Sequence, residues 1–211
     1  MMIPLKNILD KYKLKPKGVI HVGSNDADEH GEYIGCGIER FVYIEPCKEA
    51  FEALSKKVTD QRAILINVAC GEHECNMPMY VSHQNKGMSN SLLEPVLHLK
   101  QHPDIIFDDV EVVHVVPLDK LPIEKEKYSL LVTDCEGYDG EVMKGAKETL
   151  KDIDIVYSEV QRGMTREGNM LIDEFEKLLD KEGFIIVEEF WPSPSLTWGD
   201  AVFIRKTLIN V

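Results

Sequence analysis

At 211 residues the chain is long enough for one domain with a sizeable core. Its net charge of −13, with acids spread along the length, counts against a nucleic-acid partner, whose backbone is gripped by clustered Lys and Arg. The longest apolar runs, such as Val110 to Leu118, are of strand length, so no membrane insertion is expected. The opening Met1-Met-Ile-Pro-Leu-Lys has no basic segment followed by an apolar core and so does not read as a secretory signal. The five cysteines (Cys36, Cys47, Cys70, Cys75 and Cys135) are odd in number and lack a CxxC pair, which predicts free thiols in a reducing cytoplasm.

In chain order, strand and helix character alternate, which predicts a largely parallel sheet. A helix over Leu5–Lys13, within an N-terminal extension of residues 1–16, precedes a strand at Gly18–Val22. A helix from Asp28 to Ile34 leads to a strand at Phe41–Glu45, and Lys48–Val58 is amphipathic. Ala63–Ala69 reads as the third strand. Residues 76–121 break the alternation as an inserted segment: a polar loop Ser82–Ser91, a helix to His102, then the β-branched strand Val110–Val116. Tyr128–Asp134 reads as the fourth strand, followed by a helix to about Leu150, and Ile153–Glu159 as the fifth, followed by a helix over Leu171–Lys181. Phe184–Phe190 and Asp200–Arg205 read as a hairpin that brings one antiparallel strand to the sheet edge. The whole chain is expected to form one domain.

Two strand ends carry most of the chemical information. The first apolar run stops at Gly23, followed by Ser24, Asn25, Asp26, Ala27 and Asp28. About 20 residues on from the first turn, the second run ends on Glu45 and Pro46, the spacing at which a carboxylate meets a ribose. A pyrophosphate site needs more glycines and no acids. One glycine and two acids suit a cationic ligand, and S-adenosylmethionine carries both an ammonium and a sulfonium. Asn67, Val68 and Ala69 end the third strand, where the backbone can meet an adenine edge. His21, inside the first strand, reads as a hydrogen-bonded structural histidine.

Asp134 closes a buried strand at the expected ligand crevice, and Glu136 and Asp139 follow it. The latter two also suit a helix N-terminus electrostatically. Glu159 ends the fifth strand with Gln161 behind it, compatible with general-base work on a hydroxyl. Ser89, Asn90 and Ser91 offer hydrogen-bonding groups for a sugar, and Trp198 a flat apolar face; Trp191 suits that role or the core equally. The histidines form no metal set, and His98 and His102 read as one polar helix face. Two other functions stay open at this level. Asp26-Ala27-Asp28 is a DxD-like pair that a nucleotide-sugar-dependent glycosyltransferase would use with a metal, and a non-catalytic cofactor-binding partner subunit is the other.

The order of motifs resembles the FkbM-family S-adenosylmethionine-dependent methyltransferases from about Gly18 to Lys206. It rests on Val22–Asp26, Tyr43–Pro46, Asn67–Gly71, Met88–Leu92, Val116–Asp119, Asp134–Asp139 and Trp198–Ala201. His21 stands where related methyltransferases commonly have an acid, and Ala27 where glycine is common. The resemblance implies a Rossmann-like α/β class I methyltransferase domain with helices on both faces of a seven-stranded, mostly parallel sheet whose last strand is antiparallel. It also implies O-methylation of a hydroxyl on a glycan or small molecule. His21, Gly23, Ser24, Asn25, Asp26, Glu45, Pro46, Asn67, Val68, Ala69 and Asp134 are then expected at the cofactor. Asp134, Glu136 and Glu159 are expected at the chemistry, Ser89, Asn90, Ser91, Gln161 and Trp198 at the acceptor, and no residue at a metal.

Overall fold

Short, dominantly apolar strands are stable only where both faces of the sheet are covered, and this chain covers both. A computed structural model describes residues 1–209. Its elements are α1 (Leu5–Tyr12), β1 (Val19–Val22), α2 (His30–Gly35), β2 (Phe41–Ile44), α3 (Lys48–Lys57), β3 (Ala63–Ile66), β4 (Ala69–Cys70) and β5 (Cys75–Val81). Then come α4 (His98–Gln101), β6 (Asp109–Val116), β7 (Leu130–Thr133), α5 (Asp139–Lys144), β8 (Ile155–Gln161), α6 (Ile172–Lys181), β9 (Phe184–Phe190) and β10 (Trp198–Arg205). The main sheet runs β3-β2-β1-β7-β8-β10-β9, and a smaller one runs β4-β6-β5. In the main sheet β10 alone runs antiparallel to its neighbours.

Alternation along each strand sends neighbouring side chains to opposite faces. Ile20, Val22, Val42, Ile44, Leu131 and Phe203 pack beneath α5 and α6. Val19, Phe41, Tyr43, Leu130, Val132 and Val202 pack against Leu5, Ile8 and Leu9 of α1 and Leu54 of α3. The strand order turns back between β1 and β7, which opens a crevice at their carboxyl ends.

Four local expectations are corrected. The third strand stops at Ile66, because Asn67 leaves the sheet to donate from Nδ2 to the Glu45 and Pro46 carbonyls (2.8 and 3.0 Å). Ala69–Cys70 then pairs with β6 in the other sheet, and the strand β5 carried no clear sequence signal. The helix expected to run to Leu150 ends at Gly145, where a Cβ would sit 2.0 Å from the Gly71 carbonyl, and resumes as a 3-10 turn. The helix expected to reach His102 is one turn long, and His98 on it is buried rather than part of a polar face. Finally, β10 enters between β8 and β9 instead of at the edge. Its Ala201–Ile204 run is buried on both faces, whereas β9 carries Glu188 and Glu189 and suits the exposed edge.

Candidate active site

The crevice at the β1/β7 ends opens into a cavity of about 670 Å³, within the usual range for a cofactor-sized ligand. Gly23 sits at its floor with φ +74°, and a Cβ there would lie 2.0 Å from the Asp134 carbonyl. Glycine is therefore required first by the close approach of β7. The following turn holds Asn25 and Ala27 in left-handed backbone conformations (φ +46° and +55°). That conformation explains why glycine is common where Ala27 stands, since only glycine adopts it without a Cβ penalty.

Glu45, 6 % exposed, turns its carboxylate into this floor. Its oxygens accept the Asn25 and Cys47 backbone N–H groups (2.9 and 2.8 Å), which fixes its rotamer and leaves lone pairs free. Burial pushes its carboxyl up to about 7, against the pull of those two N–H groups. Ser24 Oγ, Ser82 Oγ and Asn85 Oδ1 line the same cavity, are buried, and have no partner among the described residues. Such orphans call for a polar ligand. One wall is apolar, built from Ala69, Met79, Val81 and Leu92, as a flat heterocycle requires. His21 also lines the cavity. Its Nδ1 is 3.1 Å from the Tyr33 hydroxyl, and burial lowers its pKa to about 4, so it is neutral at pH 7. Asp26 and Pro46 complete the expected set at the cavity, whereas Asn67 and Val68 lie off it, one at the staple described above and the other packed on the core.

These residues fit S-adenosylmethionine. Acids without a matching excess of cations suit its ammonium and sulfonium, Glu45 its ribose, the apolar wall its adenine, and the orphan hydroxyls its polar edges. Asp26 and Asp28 do not form a DxD metal pair, because Lys57 bridges them, at 3.0 Å to Asp26 and in close contact with Asp28.

Folding brings Asp134 and Glu136, which line one end of the cavity, together with the buried Glu159, each with a carboxylate oxygen within 4.8 Å of the others. No spacing in the sequence marks them as a cluster. Glu159 is buried and its Oε1 accepts Gln161 Nε2 (2.6 Å), while Gln161 Oε1 accepts the Thr165 hydroxyl (2.7 Å). Burial and the three neighbouring acids push the Glu159 carboxyl well up. Asp134 is raised by burial too, although its carboxylate is exposed to the cavity, so the strength of that effect depends on what fills the cavity. Two such close carboxyls cannot both ionise freely, and they titrate as a pair with Asp134 charged first. Glu136 follows in a left-handed conformation (φ +50°), and burial pushes it up to about 8 against the pull of Arg166. Arg166, which no sequence signal singled out, is fully buried and donates to Glu136 Oε2 at 2.6 Å.

The expected acceptor residues are arranged differently from one another. Ser89 accepts Asn85 Nδ2 (2.7 Å), Asn90 Oδ1 accepts the Ser82 N–H (2.9 Å), and Ser91 Oγ donates to the Glu136 carbonyl (2.9 Å). Their polar groups hold the loop together and leave few for a sugar. Trp198 is half-buried, opposite Gln161 in the β8–β10 ladder and two pairs along from Glu159–Asp200. Its Nε1 donates to His102 Nε2 (3.2 Å). Trp191 packs against the core, beneath the Arg162 guanidinium.

The raised carboxyls set a pH dependence of stability. Glu45 titrates near 7 in the fold against 4.5 as its ordinary value, so between those limits the folded chain binds the extra proton. Stability is therefore fullest below pH 4.5 as far as this group is concerned, and it declines as pH rises through 7. Glu45 alone contributes up to about 3 kcal/mol to that decline. Urea midpoints at pH 5 and pH 8 check this, with the lower midpoint expected at pH 8.

Comparison with known proteins agrees with this geometry. The model of the methyltransferase FkbM domain matches residues 20–186. No curated protein sequence matches the chain. Among solved structures, Sp1610 of Streptococcus pneumoniae, a candidate tRNA (m1A22) methyltransferase, superposes with a TM-score of 0.55 at 12 % identity, over 97 % of this chain and 71 % of that one. A candidate S-adenosylmethionine-dependent methyltransferase from Listeria monocytogenes gives 0.55 at 9 % identity, over 94 % and 96 %. Magnesium protoporphyrin IX methyltransferase from Synechocystis PCC 6803, with bound S-adenosylmethionine, gives 0.53 at 8 % identity, over 95 % and 76 %. At such identities the likeness is one of fold. Among the described residues, no helix is long and apolar enough to cross a membrane.

Proposed function

The chain belongs to the FkbM methyltransferase family and takes S-adenosylmethionine as its cofactor, and from that premise we propose that it methylates a hydroxyl of a sugar, glycan or small natural product. The family match removes the glycosyltransferase alternative, and Lys57 already occupies the acids that reading needed. The observation that carries the O-methyl reading is the cluster of Asp134 and Glu136, at the end of the cofactor cavity, with Glu159. A hydroxyl is a weak nucleophile until its proton is accepted, and carboxylates with raised pKa values are suited to accept it near neutral pH.

The cofactor supplies an electrophilic methyl group on a sulfonium. The chain has to align the acceptor, exclude water and accept one proton, and alignment alone can supply about 7–11 kcal/mol. Glu45 holds the ribose, and Asp134 orients the cofactor near its methyl. Glu136, on the cavity surface, accepts the hydroxyl proton, while Glu159 shares its own proton with Asp134 and keeps that carboxylate in place. With Glu136 near 8, turnover rises toward that pH.

Fold does not dictate acceptor, and the neighbours named above are described for a tRNA and a porphyrin. The charge of −13 and the acidic crevice favour an uncharged or cationic acceptor over RNA. Trp198, beside His102, offers the flat apolar face on which the C–H patches of a sugar ring stack. Incubation with labelled S-adenosylmethionine and fractionated glycans is expected to label a glycan fraction. Label that appears only in RNA ends this reading. With the responsive fraction, Trp198→Ala is expected to raise the acceptor KM about tenfold, and unchanged acceptor kinetics would remove Trp198 from the site.

Transfer is also expected to need no metal. Arg166 already balances Glu136, and the cofactor brings its own cation to the remaining acids. Turnover should survive a chelator. Full loss of activity in chelator, restored by magnesium, would reassign the three carboxylates as metal ligands.

A further inference from the structure

Arg166 is among the largest side chains with no exposed surface, and burying a guanidinium is costly unless it is well paired. It is only partly paired. Nη2 donates to Glu136 Oε2 (2.6 Å) and to the Ser89 carbonyl (3.1 Å), while Nε and Nη1 have no acceptor among the described residues. A side chain kept for stability alone would meet its donors or be replaced by an apolar one of similar length.

The position is built around it. The Arg166 backbone N–H donates to Asn169 Oδ1 (2.9 Å), and residue 166 forms an antiparallel bridge with Pro95. Gly137, at φ +94°, gives the arginine stem its room, since a Cβ there would lie 3.2 Å from Arg166 Cγ. The guanidinium packs over the Phe107 ring at 5.6 Å. Glu136 is thus held from two sides: Arg166 grips its carboxylate, and Ser91 Oγ grips its carbonyl at 2.9 Å. Its left-handed backbone needs such restraint to persist.

We propose that Arg166 is a positioning residue for methyl transfer: it clamps Glu136 to the 82–92 loop, holds that carboxyl facing the cofactor cavity and favours its charged form. This rests on the role given above to Glu136. The groups facing Glu136 are Asp134 at the end of β7, Asp139 on α5 and Glu159 on β8, all acidic, with Arg166 the one opposing cation among the described residues. His98 on α4, beside Arg166, is driven by burial and that guanidinium to about 3 and stays neutral. Loss of Arg166 therefore leaves Glu136 among acids alone and drives it to its protonated form.

The sulfonium of S-adenosylmethionine senses that charge, and the neutral thioether of S-adenosylhomocysteine does not. Calorimetry with both ligands from pH 6 to 9.5 reads it out on the full chain without a known acceptor. In the wild type, preference for S-adenosylmethionine is expected to grow with pH as Glu136 ionises, by about tenfold. In Arg166→Met that rise should move up by about one pH unit or more. Arg166→Lys keeps the charge but reaches only one of the two acceptors, so a smaller shift in the same direction is expected if Arg166→Met does not fold. In a Glu136→Gln background the Arg166 substitutions should leave the preference unmoved. An equal weakening of both ligands with no displacement on the pH axis would make Arg166 a structural pin and overturn the proposal. So would the same shift in the Glu136→Gln background. Failure of the wild type to bind either ligand would instead overturn the cofactor assignment.

Discussion

Glu45→Ala is expected to lower the affinity for S-adenosylmethionine by about two orders of magnitude or more, the largest effect of any single substitution at the cofactor. Hydrogen bonds to a charged group are worth about 1.5–3 kcal/mol each, and a carboxylate at the end of β2 can accept from both ribose hydroxyls. Because ribose is common to substrate and product, S-adenosylhomocysteine should weaken by the same factor. The substitution also strands the Asn25 and Cys47 N–H groups, which now donate to Glu45, so the melting temperature should fall as well. Glu45→Gln keeps the size but turns an amide N–H₂ toward one of those donors or toward the ribose, and should recover little. Calorimetry on Glu45→Ala decides the matter. Affinity within twofold of wild type would take Glu45 out of the site.

The second large effect separates the three clustered acids. Asp134→Asn removes the charge that faces the cavity, and it is expected to weaken S-adenosylmethionine more than S-adenosylhomocysteine. Glu136→Gln keeps shape and most hydrogen bonding but cannot take a proton. Turnover on the responsive acceptor fraction should drop by about 10²–10⁴, while at pH 7, below the range in which Glu136 ionises, cofactor affinity changes little. Glu159→Gln should cause a smaller loss of turnover with the cofactor still bound, because Glu159 acts by sharing its proton with Asp134 and is tied to Gln161. Equal turnover in Glu136→Gln, Glu159→Gln and wild type would show that the base lies elsewhere or is not required.

Much of the candidate site was legible in the sequence because strand ends are local features. An apolar run that stops at Gly23, another at Glu45 and a third at Asp134 each announce a carboxyl end, and ligands of open α/β sheets gather there. The alternation of strands and helices determined the fold class in the same way, since period and turn residues are set by the nearest few neighbours. Tertiary structure alone decided what those ends face. Asn67 lies off the cavity with its amide on the Glu45 and Pro46 carbonyls, while Ser89, Asn90 and Ser91 bond to their own loop and to Glu136, with Asn90 and Ser91 still lining the cavity. Asp134, Glu136 and Glu159 met only when β7 was placed beside β8, and β10 came to lie inside β9 because its burial on two faces outweighed chain order. Arg166 gave no signal at all, because one arginine in a loop is ordinary in sequence. Its burial, its grip on Glu136 and its unmet donors are relations between segments 30 and 77 residues apart, and such relations arise only on folding.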